Sequence, residues 1–181
     1  MKNINLKKIT YDNLETAVKI QNTIFPEEDG RVNFLEAINH DPYRKEMDYY
    51  IAYAEATPIG VTGIYAYHEY PETAWLGWFG ILPEFRNVGY GSFIFDLTEI
   101  LARKKKYKEF RLYTDDTFQD AQKLYTKKGM IKEIYDNPDD KDPYYPDDAN
   151  TYIFSKSLTA EEITLWNSKH LGLKEQGMKE H

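Results

Sequence analysis

The chain has no cysteine among its 181 residues. That absence excludes disulfides, thiolate metal ligands and a cysteine nucleophile, so any catalysis runs on other groups. No metal is expected as a cofactor. Long apolar runs are missing too. The stretch from Trp75 to Leu82 falls far short of the roughly 20 residues that cross a bilayer, and residues 1–10 carry no secretory apolar core. The expectation is a cytoplasmic protein without a membrane partner. Positive charge is in deficit, with 23 lysines and arginines against 30 acids and a net charge of -7. Phosphate contacts need a basic surface, so nucleic acid is not an expected partner and a cationic ligand fits better. The one basic cluster, Arg103 to Lys106 with Lys108, falls at the end of a predicted helix, where cations favour the dipole and face water.

What is present suits one folded domain. Apolar residues make up 41% of the chain and aromatics 15%, enough for a core and too rich for a disordered chain. A strand is predicted over 4–9. Asp12 with Glu15 resembles a capping box for a helix ending near Ile24, closed by Pro26. A second short helix is predicted over 31–39. The runs 49–54 and 59–67 read as a hairpin turning at 56–58. Residues 73–82 read as a central strand covered on both sides, with Trp75, Gly77, Phe79 and Ile81 on one face and Leu76, Trp78 and Leu82 on the other. From Gly91 the apolar period changes to about 3.6, placing Phe93, Ile94, Leu97, Ile100 and Leu101 on a stripe that reaches Lys106. Further strands are predicted at 110–114, 130–135 and 151–157. Between the first two of these lies a helix capped by Thr117 and stopped by Gly129. The domain is taken as 1–158, with a helix over 160–169 and a tail occupying 159–181.

The chemistry is concentrated in Ile81-Leu82-Pro83-Glu84-Phe85-Arg86-Asn87-Val88-Gly89-Tyr90-Gly91-Ser92. A buried strand ends at a proline, and a loop with two glycines opens an apolar helix. Consecutive backbone N–H groups and the positive end of a helix then point at one place, which suits a pyrophosphate. No third glycine stands at position 94 and no Gly-Lys-Ser/Thr follows, so this is neither the dinucleotide fingerprint nor a P-loop. Arg86-Asn87-Val88-Gly89-Tyr90-Gly91 instead resembles the Arg/Gln-x-x-Gly-x-Gly/Ala signature of the GNAT acetyltransferases. A second element of that family, Ala-x-x-Leu-Tyr-x-x-x-Gly-Phe/Met, is matched by Ala121 to Met130.

The resemblance implies an α/β (α+β) GNAT fold: a central mixed, mostly antiparallel sheet of six to seven strands, flanked by helices, whose fourth and fifth strands splay to admit acetyl-CoA. It implies that the backbone of Phe79, Gly80 and Ile81 pairs with the pantetheine, and that Arg86, Asn87, Val88, Gly89, Tyr90, Gly91 and Ser92 cradle the pyrophosphate. The family often has asparagine three residues before the alanine of the second motif. Phe118 stands there, and Thr117 or Gln119 is the expected substitute contact. Tyr125 matches a tyrosine that often protonates the departing thiolate, a task a phenol can perform within hydrogen-bond reach. From the residues alone a packed helix-face tyrosine is the favoured reading. The strand 73–82 carries no acid, so the proton acceptor is sought among His68, Glu69 and Glu72 in the preceding turn and Asp115 and Asp116 after the fifth strand.

The implied activity is acetyl transfer from acetyl-CoA to a primary amine of a small molecule, a cationic one. A protein or peptide amine is the alternative acceptor, and a non-catalytic acyl-CoA-binding module the alternative class. The loop 136–150 holds six aspartates around Tyr144 and Tyr145, a composition that either attracts a cationic amine or stays as solvated chain. Exposed strands at the carboxyl end are compatible with a homodimer.

Overall fold

The computed structural model describes residues 3–140 and 150–172. The chain divides into two compact units, Met1–Phe110 and Arg111–His181. Eight strands form a mostly antiparallel sheet flanked by helices, one or two strands more than the sequence implies. Among the described residues no helix is long and apolar enough to cross a membrane.

The first unit contains β1 (Ile4–Lys8), α1 (Leu14–Ile24), α2 (Gly30–Ile38), β2 (Arg44–Ala54), β3 (Thr57–Tyr67), β4 (Thr73–Leu76), β5 (Gly80–Ile81) and α3 (Tyr90–Lys104). Its strands run in the order β1-β2-β3-β4, with β5 also paired to β3. Thr10 caps the 3-10 turn that leads into α1, and its backbone N–H donates to Asn13 Oδ1 at 2.8 Å. This reciprocal pair, rather than Asp12 and Glu15, forms the capping box. Asp29 caps α2 by accepting from the N–H groups of Arg31 and Val32. The hairpin between β2 and β3 turns on Glu55 and Ala56 alone, so Thr57 and Pro58 already belong to β3.

Apolar residues cover both faces of this part of the sheet. Ile9, Leu14, Ala17, Ile20, Phe34, Ile51 and Val61 pack together with Trp78 and Leu82 on the side of α1 and α2. Ile4, Ala52, Ile59, Ile81 and Ile94 pack with Phe79 and Leu97 on the side of α3. A register shift at Ala52/Tyr53 lets Ile59 and Val61 serve opposite faces. On α3 the buried stripe is Ile94, Phe95, Thr98 and Ala102. Phe93 and Ile100, expected on it, are exposed. Thr98 bonds Thr62 at 2.8 Å inside the core, where an apolar period could not point to it.

The predicted single strand over 73–82 is broken. β4 ends at Leu76, Trp78 takes a left-handed φ of 48°, and β5 resumes at Gly80. Trp75 stands opposite Tyr65 with the rings stacked at 6.3 Å, whereas Phe79 packs against Phe95 of α3. The break therefore sends Trp75 and Phe79 to different faces, contrary to strict alternation. Gly77 makes room for this, since a Cβ there would lie 2.8 Å from the Tyr65 ring and 3.1 Å from that of Tyr49.

The basic cluster after α3 is exposed, as expected, but Lys105 within it is tied into a network of ion pairs. Lys105 pairs with Glu46 and, at 2.9 Å, with Asp48, and Lys8 reaches Asp48 at 2.9 Å. Tyr107 donates to Glu46, and burial followed by that contact raises its phenol above the ordinary range. Burial acts to raise Asp48, but its hydrogen bonds with Lys105, Glu46 and Lys8 prevail and hold it at about 2. A carboxylate depressed in the folded state contributes stability above its unfolded pKa and loses it as pH falls through the folded one. The fold should accordingly lose about 1–2 kcal/mol between pH 4 and pH 2 through this group. An Asp48→Asn variant in acid denaturation followed by circular dichroism should show that increment flattened. An unchanged acid limb would contradict the assignment.

The second unit contains most of β6 (Glu109–Asp115), then α4 (Gln119–Lys127), β7 (Ile131–Tyr135) and β8 (Thr151–Ser157), in the order β6-β8-β7. The helix predicted over 160–169 does not form. Its backbone groups have tertiary partners instead. Arg111, almost fully buried, donates to the Thr164 carbonyl and to Ser155 Oγ, both at 2.7 Å. Glu133 accepts from the N–H groups of Trp166 and Asn167. Asp140, expected in a solvated or substrate-facing loop, is buried and accepts from Tyr135 Oη and the Leu171 N–H, both at 2.5 Å. Asp142, Asp147, Asp148, Tyr144 and Tyr145 lie outside the described residues, as do residues 173–181 of the predicted tail.

Candidate active site

After β5 the chain makes a 3-10 turn at Pro83–Phe85 and enters α3 through Gly89, its N-cap, at φ 93° and ψ 0°. Asn87 is also left-handed, at φ 65°, a conformation asparagine tolerates better than most residues. Residues 86–89 are exposed. Tyr90, Gly91 and Ser92 form the first turn of a 15-residue helix; N–H groups in a first turn have no intrahelical carbonyl to reach. The loop thus presents a convergent set of donors at the positive end of a helix dipole.

Two features keep that cradle open. Arg86 turns back, donating from Nε to the Ile81 carbonyl at 2.8 Å, so its side chain braces the loop instead of reaching outward. A Cβ on Gly91 would meet only Ile81 Cγ1 at 3.7 Å, so the space above that glycine is not filled by the first unit. Among the described residues β5 pairs with β3 alone, through Gly60↔Ile81 and Val61↔Gly80. Leu82 donates its N–H to Ile59 of β3. By the alternation of a strand, Phe79 and Ile81 then direct their backbone groups away from β3, toward the edge β5 leaves unpaired. These residues fit a cofactor with a phosphate-rich head and an amide-bearing arm.

Tyr125 is buried on α4 with its ring 5.4 Å from Phe154. Burial alone raises its phenol above the ordinary value, so it is a neutral donor throughout the physiological range. Thr117 is exposed and does not cap α4. Its N–H donates to Asp115 Oδ1 at 2.6 Å, and the helix starts at Gln119 after Phe118. Asp115 is buried with Oδ2 unpartnered among the described residues, and Asp116 bonds Tyr152 at 2.5 Å.

Glu69 and His68 are exposed in the turn between β3 and β4, and Glu72 is paired with Lys108 at 2.8 Å. That turn and the loop 83–92 lie at opposite ends of the β4–β5 run. The structure therefore groups the cradle residues and β5 but leaves Glu69 and Glu72 apart from them. The break at Gly77–Trp78 was not anticipated; its only signal in the sequence is a glycine inside an otherwise bulky strand. Among the described residues no three His, Asp or Glu side chains gather in a way that could hold a metal ion.

The chain belongs to the acetyltransferase (GNAT) family, whose model matches residues 14–130. As a member it is an N-acetyltransferase that draws on acetyl-CoA. No curated protein matches it significantly. Among solved structures it is similar to the ribosomal-protein-S18-alanine N-acetyltransferase from Escherichia coli, with 12% identity over 91% of this chain and 99% of that one and a TM-score of 0.68. A putative GNAT acetyltransferase from Desulfovibrio desulfuricans gives 13% identity over 87% and 100% of the two chains, with a TM-score of 0.71. A GNAT acetyltransferase from Elizabethkingia anophelis, solved with acetyl-CoA bound, gives 18% over 87% and 100%, with a TM-score of 0.67.

Proposed function

We propose that this acetyltransferase acts on a primary amine of a small molecule. The observation that supports acetyl transfer is the loop 86–92, open above Gly91 and led into by a strand with an edge unpaired among the described residues; the acceptor class follows from the chain's negative charge, which suits a cationic amine. When bound there, acetyl-CoA supplies an activated acetyl thioester. The N–H groups from Asn87 to Ser92 hold its pyrophosphate, and the backbone of Phe79 and Ile81 orients its arm. Tyr125 donates a hydrogen bond to the sulfur as negative charge develops on it.

Glu69 and Glu72 remain the proposed proton acceptors from the turn before β4, acting through water in view of their exposure. Asp115 is a second carboxylate on which the same role can be tested. Purified protein should release free thiol from acetyl-CoA in the presence of one class among polyamines, amino sugars and amino acids, and not with short peptides. Turnover of peptides alone would replace the acceptor class. Acetyl-CoA binding without any turnover would replace the enzyme by a binding module.

A further inference from the structure

Arg44 opens β2 opposite Tyr67 and takes no part in the chemistry above. Its guanidinium lies 4.8 Å from the centroid of the Tyr67 ring and 5.7 Å from that of Tyr65. Among the described residues its ion pair is with Asp41, whose Oδ2 is a loose 4.0 Å away. Nε is buried and unpartnered among the described residues. A charged donor shielded from water without an acceptor costs more than a neutral one. The tyrosine rings cover one face of the guanidinium, and its loosely paired Nη edge is left to take a further acceptor.

The surroundings narrow the chemistry of that partner. Glu36, on α2, is lifted above the ordinary carboxylate range by burial and by Asp41, with Arg44 only partly offsetting them. One guanidinium thus shares its surroundings with two carboxylates. A simple anion would meet both acids, and a polyamine would meet the arginine. A ligand carrying a carboxylate and an ammonium a few bonds apart satisfies all three groups.

The location fits an acceptor site. Tyr65 stacks on Trp75 of β4, and Tyr65 and Tyr49 fill the space over Gly77, next to the break that leads into β5. Arg44 and Asp41 keep exposed edges, at 13% and 17% of their side-chain surface, through which a small ligand can reach them.

We propose that the acceptor is a zwitterionic amino carboxylate of the α-amino-acid class, its carboxylate on Arg44 and its ammonium beside Glu36 and Asp41. This rests on the small-amine reading above and names its substrate class. The test compares the α-amino acids with their carboxamides and with a diamine, using wild type, Arg44→Met and Arg44→Lys. In wild type, loss of the carboxylate should raise KM 10- to 100-fold with kcat little changed. Arg44→Met should raise KM for the amino acid by a similar factor and erase the acid-to-amide difference, and Arg44→Lys should restore part of it.

Acetyl-CoA affinity should be unchanged in both variants, which separates this inference from the assignment of the cradle. A purely structural arginine would lower the melting temperature without altering the acid-to-amide ratio. Equal KM for acid and amide in wild type, a preference for the diamine, or an Arg44→Met enzyme that keeps the ratio would each overturn the proposal. Should no small amine be turned over, calorimetric titration of the same amino acids into the CoA complex gives an independent reading, and absence of binding there also overturns it.

Discussion

Replacing Gly89 by glutamate is expected to weaken acetyl-CoA binding at least about 100-fold, or roughly 2.7 kcal/mol. Gly89 sits at φ 93° as the N-cap of α3, and a residue with a Cβ pays about 1–2 kcal/mol in the left-handed region. The carboxylate adds a second effect, because it brings negative charge to the donors and dipole end that a pyrophosphate would use. Gly89→Ala keeps only the backbone term and should lose about tenfold. Calorimetry on both variants, with melting curves to establish folding, separates the two contributions. Affinity within threefold of wild type in a folded Gly89→Glu protein would mean that the cradle holds something else.

Tyr125→Phe should lower kcat by about 100-fold, the lower end of what a positioned proton donor supplies, and leave KM for acetyl-CoA nearly unchanged. The substitution keeps the ring against Phe154, and melting curves establish that a folded variant is being compared. Burial raises the phenol above its ordinary value, and a group so raised stays protonated as pH rises. Wild-type kcat should then show no basic limb from this residue below about pH 10. A phenol that holds its proton more tightly than a thiol also stabilises the departing thiolate by donating a hydrogen bond, since full transfer runs uphill. A Phe variant with wild-type kcat would leave Tyr125 as a packing residue only.

The cradle was legible in the sequence because every part of it is local. A strand, a proline, two glycines and an apolar helix within 12 residues specify where the N–H groups point, and the loop from Pro83 to Gly91 takes that form. Gly129 at φ 82° ends α4 for an equally local reason. Elements whose partners are distant in the chain were not legible. β2 begins at Arg44 and not near Tyr49, because pairing with Tyr67, Ala66 and Tyr65 carries a polar stretch that has no strand pattern of its own. Residues 160–169 carry a helical pattern, but the offers of Arg111 and Glu133 to their backbone are made only once β6 and β7 exist.

By itself, then, the sequence determined the family, the donor it uses and the form of the loop 83–91 proposed for the donor's phosphates, since short-range backbone geometry and glycine placement suffice for these. Tertiary structure alone decided the break at Trp78, the ion-pair network around Asp48 and the gathering of Arg44, Asp41 and Glu36 at the C-terminal end of α2. Those depend on which side chains strand register and helix packing bring within a few ångströms, and no spacing along the chain encodes that directly.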